Sequence, residues 1–458
     1  MSTAIETADP ILVPRDAKAV WVERLIWVFA LSFAFDYRAS ESRAANAGAG
    51  IDQLLFLGLC ISSTFAILAL GYKYLVVRPG AWLMAFWGLF LAYMLANAFL
   101  QGVPPGRTIR IILPLCFCFA GMMNVHIAGC MGVRPARIVT AVLTAACINV
   151  LWRIFYGLAF TEITLETART EVQSTASNWL AAWIGCAVLL RGRFHWSLLV
   201  ACGVLFTGVL VTVTRSLLFP VFASGMACSI CYLLGIKWGN FKWSGLPKRL
   251  IPVGAAAALL LGALGVSAVA VPDLIDRWSE RLFHLASDRN VSADISYLTR
   301  RAEAEAMFKI LSNDPIHFLN GRGIGASYYW DPAFMPEILL VYPADMEIDT
   351  DMWYAGHSTW IYSVFSGGFI GLLAHVAFFI GIMIFSLRAA ASNASHPGPD
   401  QWLAFLPFVA VCCLISETLT SNPLQERLTG VLLGMMAGLP QAFMVRSSWI
   451  HLSTARNG

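Results

Sequence analysis

Apolar runs recur along the chain, separated by short polar breaks, near 21–37, 51–71, 80–99, 109–124, 137–158, 178–190, 195–213, 216–236, 250–271, 358–387, 402–418 and 428–446. A helix needs roughly 20 apolar residues to cross a bilayer. The pattern therefore predicts an all-α polytopic membrane protein of about twelve transmembrane helices. Helices suit that environment because each satisfies its own backbone polar groups without water. Pro220 in the eighth run and Pro407 in the eleventh are candidate kinks. The one long polar interval, 271–357, divides the chain into 1–270, with helices and short loops, and 358–458, with the last helices and a tail.

The loop charges orient this pattern. With both termini in the cytoplasm, the loops holding Lys73, Arg78, Arg134, Arg137, Arg191, Arg193, Lys237, Lys242, Lys248, Arg249 and Arg388 fall inside. Counting the tails, roughly fifteen Lys and Arg then lie inside against roughly seven in the short outer loops, as the positive-inside rule requires. The interval 271–357 is thereby placed outside, and long translocated loops are exempt from the charge count. Residues 389–401 read as a polar cytoplasmic linker.

Composition excludes the other broad classes. Hydrophobic residues make up 58% of the chain and charged ones 13%, which no ordinary soluble domain shows. The mean hydropathy of +0.68 agrees. No lysine stripe points to nucleic acid. The eleven cysteines lie almost wholly within apolar runs, which argues against a disulfide framework. Cys228 and Cys231 form a CxxC in mid-run, without the second pair or nearby histidine that a metal or redox site needs. The polar N-terminus carries both signs of charge, so no cleavable signal peptide is expected.

Candidate chemistry gathers at the outer edge of the predicted bundle. The long interval holds Arg277, Arg281, Arg289, Arg300, Arg301 and Arg322, with His357 at its exit. Cations there favour an anionic, phosphate-bearing substrate. Within it, SADISYLTRRAEAEAMFKILSND reads as a helix that Ser292 or Asp294 caps and Pro315 stops, with Ile295, Leu298, Ala302, Met307, Phe308 and Leu311 on its apolar face. Arg300 and Arg301 cannot both point the same way, because helical neighbours differ by about 100°. The run Gly321-Arg322-Gly323-Ile324-Gly325 follows no strand and reads as a tight turn that brings backbone N–H groups close to a partner.

Each of these residues also has a plain structural explanation. Arg215, between two apolar runs, suits an arginine snorkelling at the interface as well as one marking a substrate path. Arg300 suits a solvated helix face, and His357 a structural histidine. Together with a base of near-neutral pKa, however, the cations describe a phosphate-binding site with a general base. A second constellation is acidic: Asp345, Glu347, Asp349 and Asp351 alternate in a way that could hold a divalent cation, although a solvated acidic loop is the commoner explanation.

Taken in order, Thr214-Arg215-Ser216, the run RRAEAEAMFKILSNDP opening with Arg300, the GRGIG turn, His357, and Gly368-Phe369-Ile370-Gly371 resemble the O-antigen ligase and polysaccharide polymerase superfamily of bacterial inner-membrane glycosyltransferases. The likeness covers roughly 165–385, and Ser177-Asn178-Trp179 after Arg169 is similar to the family's Asn before its mid-chain span. Two departures stand out: Ser358 follows His357 where the family usually has Asn, and His317–Asn320 separate Pro315 from the turn.

The resemblance implies that Arg215 and Arg300 bind the pyrophosphate of an undecaprenyl-linked glycan donor, with Arg301, Arg322 and Arg169 as further candidates for phosphate contacts. It implies that His357 activates the acceptor hydroxyl, with no metal and no cofactor. Two guanidinium groups offering bidentate hydrogen bonds would stabilise the departing pyrophosphate. A base opposite the leaving group would invert the anomeric carbon. Polymerisation of O-antigen or exopolysaccharide repeat units is then the expected activity, with ligation to a lipid A core as the alternative and other polysaccharide assembly proteins as expected contacts. The expected location is the bacterial inner membrane, with the 271–357 loop in the periplasm. A transporter or flippase for lipid-linked sugars is the alternative from another class; it would need ionisable residues deep in the bundle, and Arg153 and Glu417 lie near span ends.

Overall fold

The structure, a computed structural model, describes residues 17–37, 51–77, 80–160, 172–192, 195–212, 217–247, 295–329, 353–394 and 400–457, with isolated positions between 249 and 265. Among these residues it is helical apart from turns and one isolated bridge between Tyr328 and Trp353. The helices are α1 (Ala17–Leu31), α2 (Ile51–Gly71), α3 (Gly80–Leu100), α4 (Pro105–Cys130), α5 (Pro135–Phe160), α6 (Ser177–Gly185), α7 (Trp196–Thr212) and α8 (Leu218–Lys237). They are followed by α9 (Ile295–Ser312), α10 (Pro315–Asn320), α11 (Thr359–Ser392), α12 (Leu406–Thr418) and α13 (Arg427–Asn457). Among the described residues, eight helical stretches are long and apolar enough to cross a membrane, and α7 is a shorter apolar helix.

The stretches follow the hydrophobic pattern closely, while several local expectations change. Pro220 and Pro407 occupy the first turns of α8 and α12. There a missing N–H has no carbonyl to leave unpaired, so neither proline breaks its helix. The pronounced break is in α11 instead, at Gly368 with φ 64° and ψ −162°. Pro315 opens α10 rather than simply ending α9, because the Asp314 side chain caps the new helix by accepting from Ile316 N at 2.9 Å. On α9, Ala302, Met307 and Leu311 are buried as expected, but Phe308 is 43% exposed, one position off the inward stripe. Ile295, Leu298 and the expected caps lie outside the described side chains. Past the last apolar run, α13 continues as helix to Asn457 where a tail was expected.

Two packing motifs hold the bundle. Gly430, Gly434 and Gly438 repeat every four residues along α13, and a Cβ at each would lie 2.0 Å from Pro114 O, 2.0 Å from Cys118 O and 2.7 Å from Met122 O. Only hydrogen fits there, so the α4 and α13 backbones approach as small-residue stripes allow in membranes, where apolar surface gives no preference over lipid. Trp87 of α3 ties the second motif together: its ring stacks on Phe378 of α11 at 4.0 Å and its Nε1 donates to Leu115 O of α4 at 3.1 Å. These contacts bring the end of α3, the start of α4 and the start of α11 to one end of the bundle.

Candidate active site at one end of the bundle

At that end, the glycine turn locks α9 and α10 onto the helix ends. Gly321, Gly323 and Gly325 all have positive φ, 73°, 86° and 84°. A Cβ at Gly321 would fall 2.5 Å from Gly368 N, and one at Gly325 2.9 Å from the Arg107 carbonyl carbon. The partner that the sequence left open for these amides is the protein itself: Arg322 N donates to Phe365 O at 2.7 Å and Gly323 N to Ser366 O at 3.0 Å. The Asn97 side chain also donates to Ser366 O, at 3.2 Å, and the Tyr93 hydroxyl to Gly367 O at 3.0 Å. These bonds satisfy the carbonyls that the break at Gly368 releases. The glycine run is thus a joint that supports the site.

The joint positions α9 so that Glu303 is 2% exposed. Opposite it, the segment 353–357 is pinned at every turn. Trp353 bridges Tyr328, the Tyr328 hydroxyl donates to Ala355 O at 2.7 Å, the Tyr362 hydroxyl to Tyr354 O at 2.9 Å, and Asn422 Nδ2 to Gly356 O at 3.0 Å. His357 follows. Its backbone N–H donates to Glu303 Oε1 at 2.8 Å, and its Nδ1 lies 2.7 Å from Glu303 Oε2. With Nδ1 donating to the carboxylate, the neutral imidazole keeps its acceptor lone pair on Nε2. The His357 side chain is 43% exposed, so that lone pair can meet a substrate. A histidine fixed in tautomer and orientation by a buried carboxylate is the arrangement a general base requires. Burial, followed by the negative charge of Glu303, pushes the Tyr328 phenol well above its ordinary pKa, so it stays a neutral donor.

The expected site residues divide. Arg300 is half-buried one turn before Glu303, on the same face of α9. Arg301 points outward and pairs with Glu305 at 3.0 Å, with both side chains about half exposed. A surface pair of this kind contributes little, about 0.3–0.5 kcal/mol. The Arg322 guanidinium meets His317 Nε2 at 3.1 Å. Ser358, the departure from the family pattern, caps α11 by accepting from Ile361 N. Beside it, the Thr359 hydroxyl donates to Asn422 Oδ1 at 3.0 Å, so an amide from the α12–α13 connection serves this corner. Arg215, Arg169 and the acidic run Asp345–Asp351 lie outside the described residues.

Several polar residues at this end escaped the sequence reading. Glu303 stands three residues after Arg300 inside the quoted run, and helical spacing alone could have placed the two together. Arg107 and Arg110 fell in or beside a presumed loop, whereas α4 begins at Pro105 and carries both. A third group lies behind Thr359, whose hydroxyl also donates to Ser421 O. Arg153 pairs with Glu426 at 3.4 Å and donates to Gln173 O, the Thr175 hydroxyl also reaches Glu426, and Asn178 donates to the fully buried Glu417. The sequence had marked Arg153 and Glu417 only as charges near span ends. Glu426→Gln strands a buried guanidinium, and we expect a loss of about 3 kcal/mol in stability, visible as a lower melting temperature in detergent. An unchanged melting temperature would show that the Arg153–Glu426 contact carries no net energy.

The chain matches no protein-family model and no curated protein.

Proposed function

We propose that this protein is a membrane glycosyltransferase that moves a glycan from a lipid-pyrophosphate donor to an acceptor sugar hydroxyl. The Glu303–His357 pair carries the reading: a buried carboxylate holds a half-exposed imidazole by its Nδ1. His357 Nε2 takes the acceptor proton, the acceptor oxygen bonds to the anomeric carbon, and the bond to the pyrophosphate breaks with its electron pair leaving on phosphate. Attack opposite the leaving group inverts that carbon. Arg300, sharing a helix face with Glu303, supports the phosphate-binding role that the family resemblance assigns to it and to Arg215. In this reading the twelve-span layout holds, both termini are cytoplasmic, the site faces the periplasm from the bacterial inner membrane, and polymerisation of repeat units is the activity, with ligation to lipid A core using the same donor chemistry.

The buried Arg153 and Glu417, with the half-buried Glu426 beside Arg153, favour a second reading, a carrier of lipid-linked sugars, since ionisable groups within spans mark transport paths. One assay separates them. Purified protein in liposomes receives a synthetic polyprenyl-pyrophosphate repeat unit with EDTA present, and the products are resolved by gel. A ladder of lengthening glycans is the expected result. Release of free carrier only when lipid A core is added assigns a ligase. An intact donor under both conditions, with the repeat unit moved across the bilayer, assigns the carrier.

A further inference from the structure

We infer that Asn422, in the connection between α12 and α13, is a positioning residue for the base His357. The inference deepens the transferase reading and rests on it for what His357 does.

Asn422 Nδ2 donates to Gly356 O at 3.0 Å, and His357 N donates to Glu303 Oε1 at 2.8 Å. That carbonyl and that N–H belong to one planar peptide group. The peptide leading into His357 is therefore held at both polar ends, by the α12–α13 connection on one side and by α9 on the other. Gly356 also lies against α11, where a Cβ would fall 2.6 Å from Tyr362 Cβ. Beyond His357 the same amide acts again, because the Thr359 hydroxyl donates to Asn422 Oδ1 at 3.0 Å. A carbonyl only accepts, so Nδ2 faces Gly356 and Oδ1 is left for the hydroxyl. One side chain thus ties down the chain just before and just after the base.

The connection can bear that task because it is itself anchored. Thr420 N and Ser421 N bond to Glu417 O at 2.9 and 3.0 Å, and Pro423–Gln425 form a buried turn directly after Asn422. Glu303 fixes the ring by its Nδ1, whereas Asn422 fixes the backbone from which the ring starts. Both are needed to return Nε2 to one place, and a misplacement of about 1 Å can cost about 100-fold in rate.

The test combines kinetics in liposomes with NMR of 15N-histidine-labelled full-length protein in nanodiscs. Asn422→Ala is expected to lower kcat by about 10–100-fold, with the KM for the polyprenyl-pyrophosphate donor unchanged. In a His357→Ala background the same substitution is expected to cost nothing further, because a residue that acts through the base has nothing left to act on. NMR is expected to show His357 as one Nδ1–H tautomer in the wild type and as a mixture of tautomers in Asn422→Ala. Asn422→Leu, which keeps the space filled, is expected to behave alike and carries the test should the Ala variant fail to fold. A wild-type kcat in the variants overturns the proposal, as does an equal loss in the His357→Ala background. Should the wild type never consume donor, the transferase reading fails and the ring signal decides: a mixture in the variants keeps Asn422 as the positioning residue, and an unchanged tautomer overturns it.

Discussion

His357→Ala is expected to lower the transfer rate by about 10²–10⁴-fold, the contribution of a positioned general base, while membrane insertion and melting temperature stay near wild type. The side chain is 43% exposed, with Glu303 as a hydrogen-bond partner and the Trp353 ring 5.7 Å away, so little packing depends on it. Glu303→Gln tests the same pair from the other side. Glu303 accepts two N–H groups of His357, one on each carboxylate oxygen. An amide has a single acceptor oxygen, so its NH2 faces either the His357 backbone N–H or the ring. The first arrangement leaves a buried donor unmet, which costs about 1–3 kcal/mol. The second turns the ring or reverses its tautomer and removes the outward lone pair. A rate loss of about 10–100-fold follows for an orienting partner, with donor binding retained. Rates are measured in liposomes with the polyprenyl-pyrophosphate donor. Transfer by His357→Ala within a few fold of wild type would remove His357 as the base.

Gly368→Ala is the second large effect, and it acts through the backbone. The residue sits at φ 64° and ψ −162°, where side chains are strongly disfavoured, at about 1–3 kcal/mol. Its Cβ would also fall 2.1 Å from Leu319 O and 2.5 Å from Asn320 N, backbone atoms that cannot rotate away. Overpacking adds about 1–3 kcal/mol, so the two together give a loss near 4 kcal/mol. The strain reaches the site because Leu319 and Asn320 lead into the glycine turn that holds α9 in place. We expect a sharply reduced folded yield in detergent, and loss of transfer in whatever folds. Gly381→Ala, on the same helix, meets only Leu83 Cδ1 at 3.0 Å and serves as the mild control. Equal melting of the two variants would contradict the break drawn at Gly368.

Much of the candidate site was within reach of the sequence, residue by residue but not as a constellation. His357 and Arg300 could be named because a histidine at a span entrance and an arginine on a helix of the long polar interval are residue types that suit phosphate chemistry. The glycine run was legible as a turn, since alternating glycines point to positive φ. Its partners were not legible, because Phe365 and Ser366 offer free carbonyls only once α11 breaks. Arg107 was lost to a boundary error of four residues at the start of α4, where Pro105 begins the helix earlier than the apolar run suggests.

What the sequence determined by itself was the order and placement of the apolar helices among the described residues. Each one answers a local demand: in lipid, a backbone segment has to bond within itself and cover itself with apolar side chains. The tertiary structure decided everything that joins distant segments. Glu303 and His357 are 54 residues apart, Arg110 and Tyr354 are 244 apart, and Arg153 and Glu426 are 273 apart. No local propensity records such pairs. They form because buried charges and carbonyls have to find partners among whatever groups the packed helices bring near, and that choice exists only after α4, α11 and α13 have closed on one another.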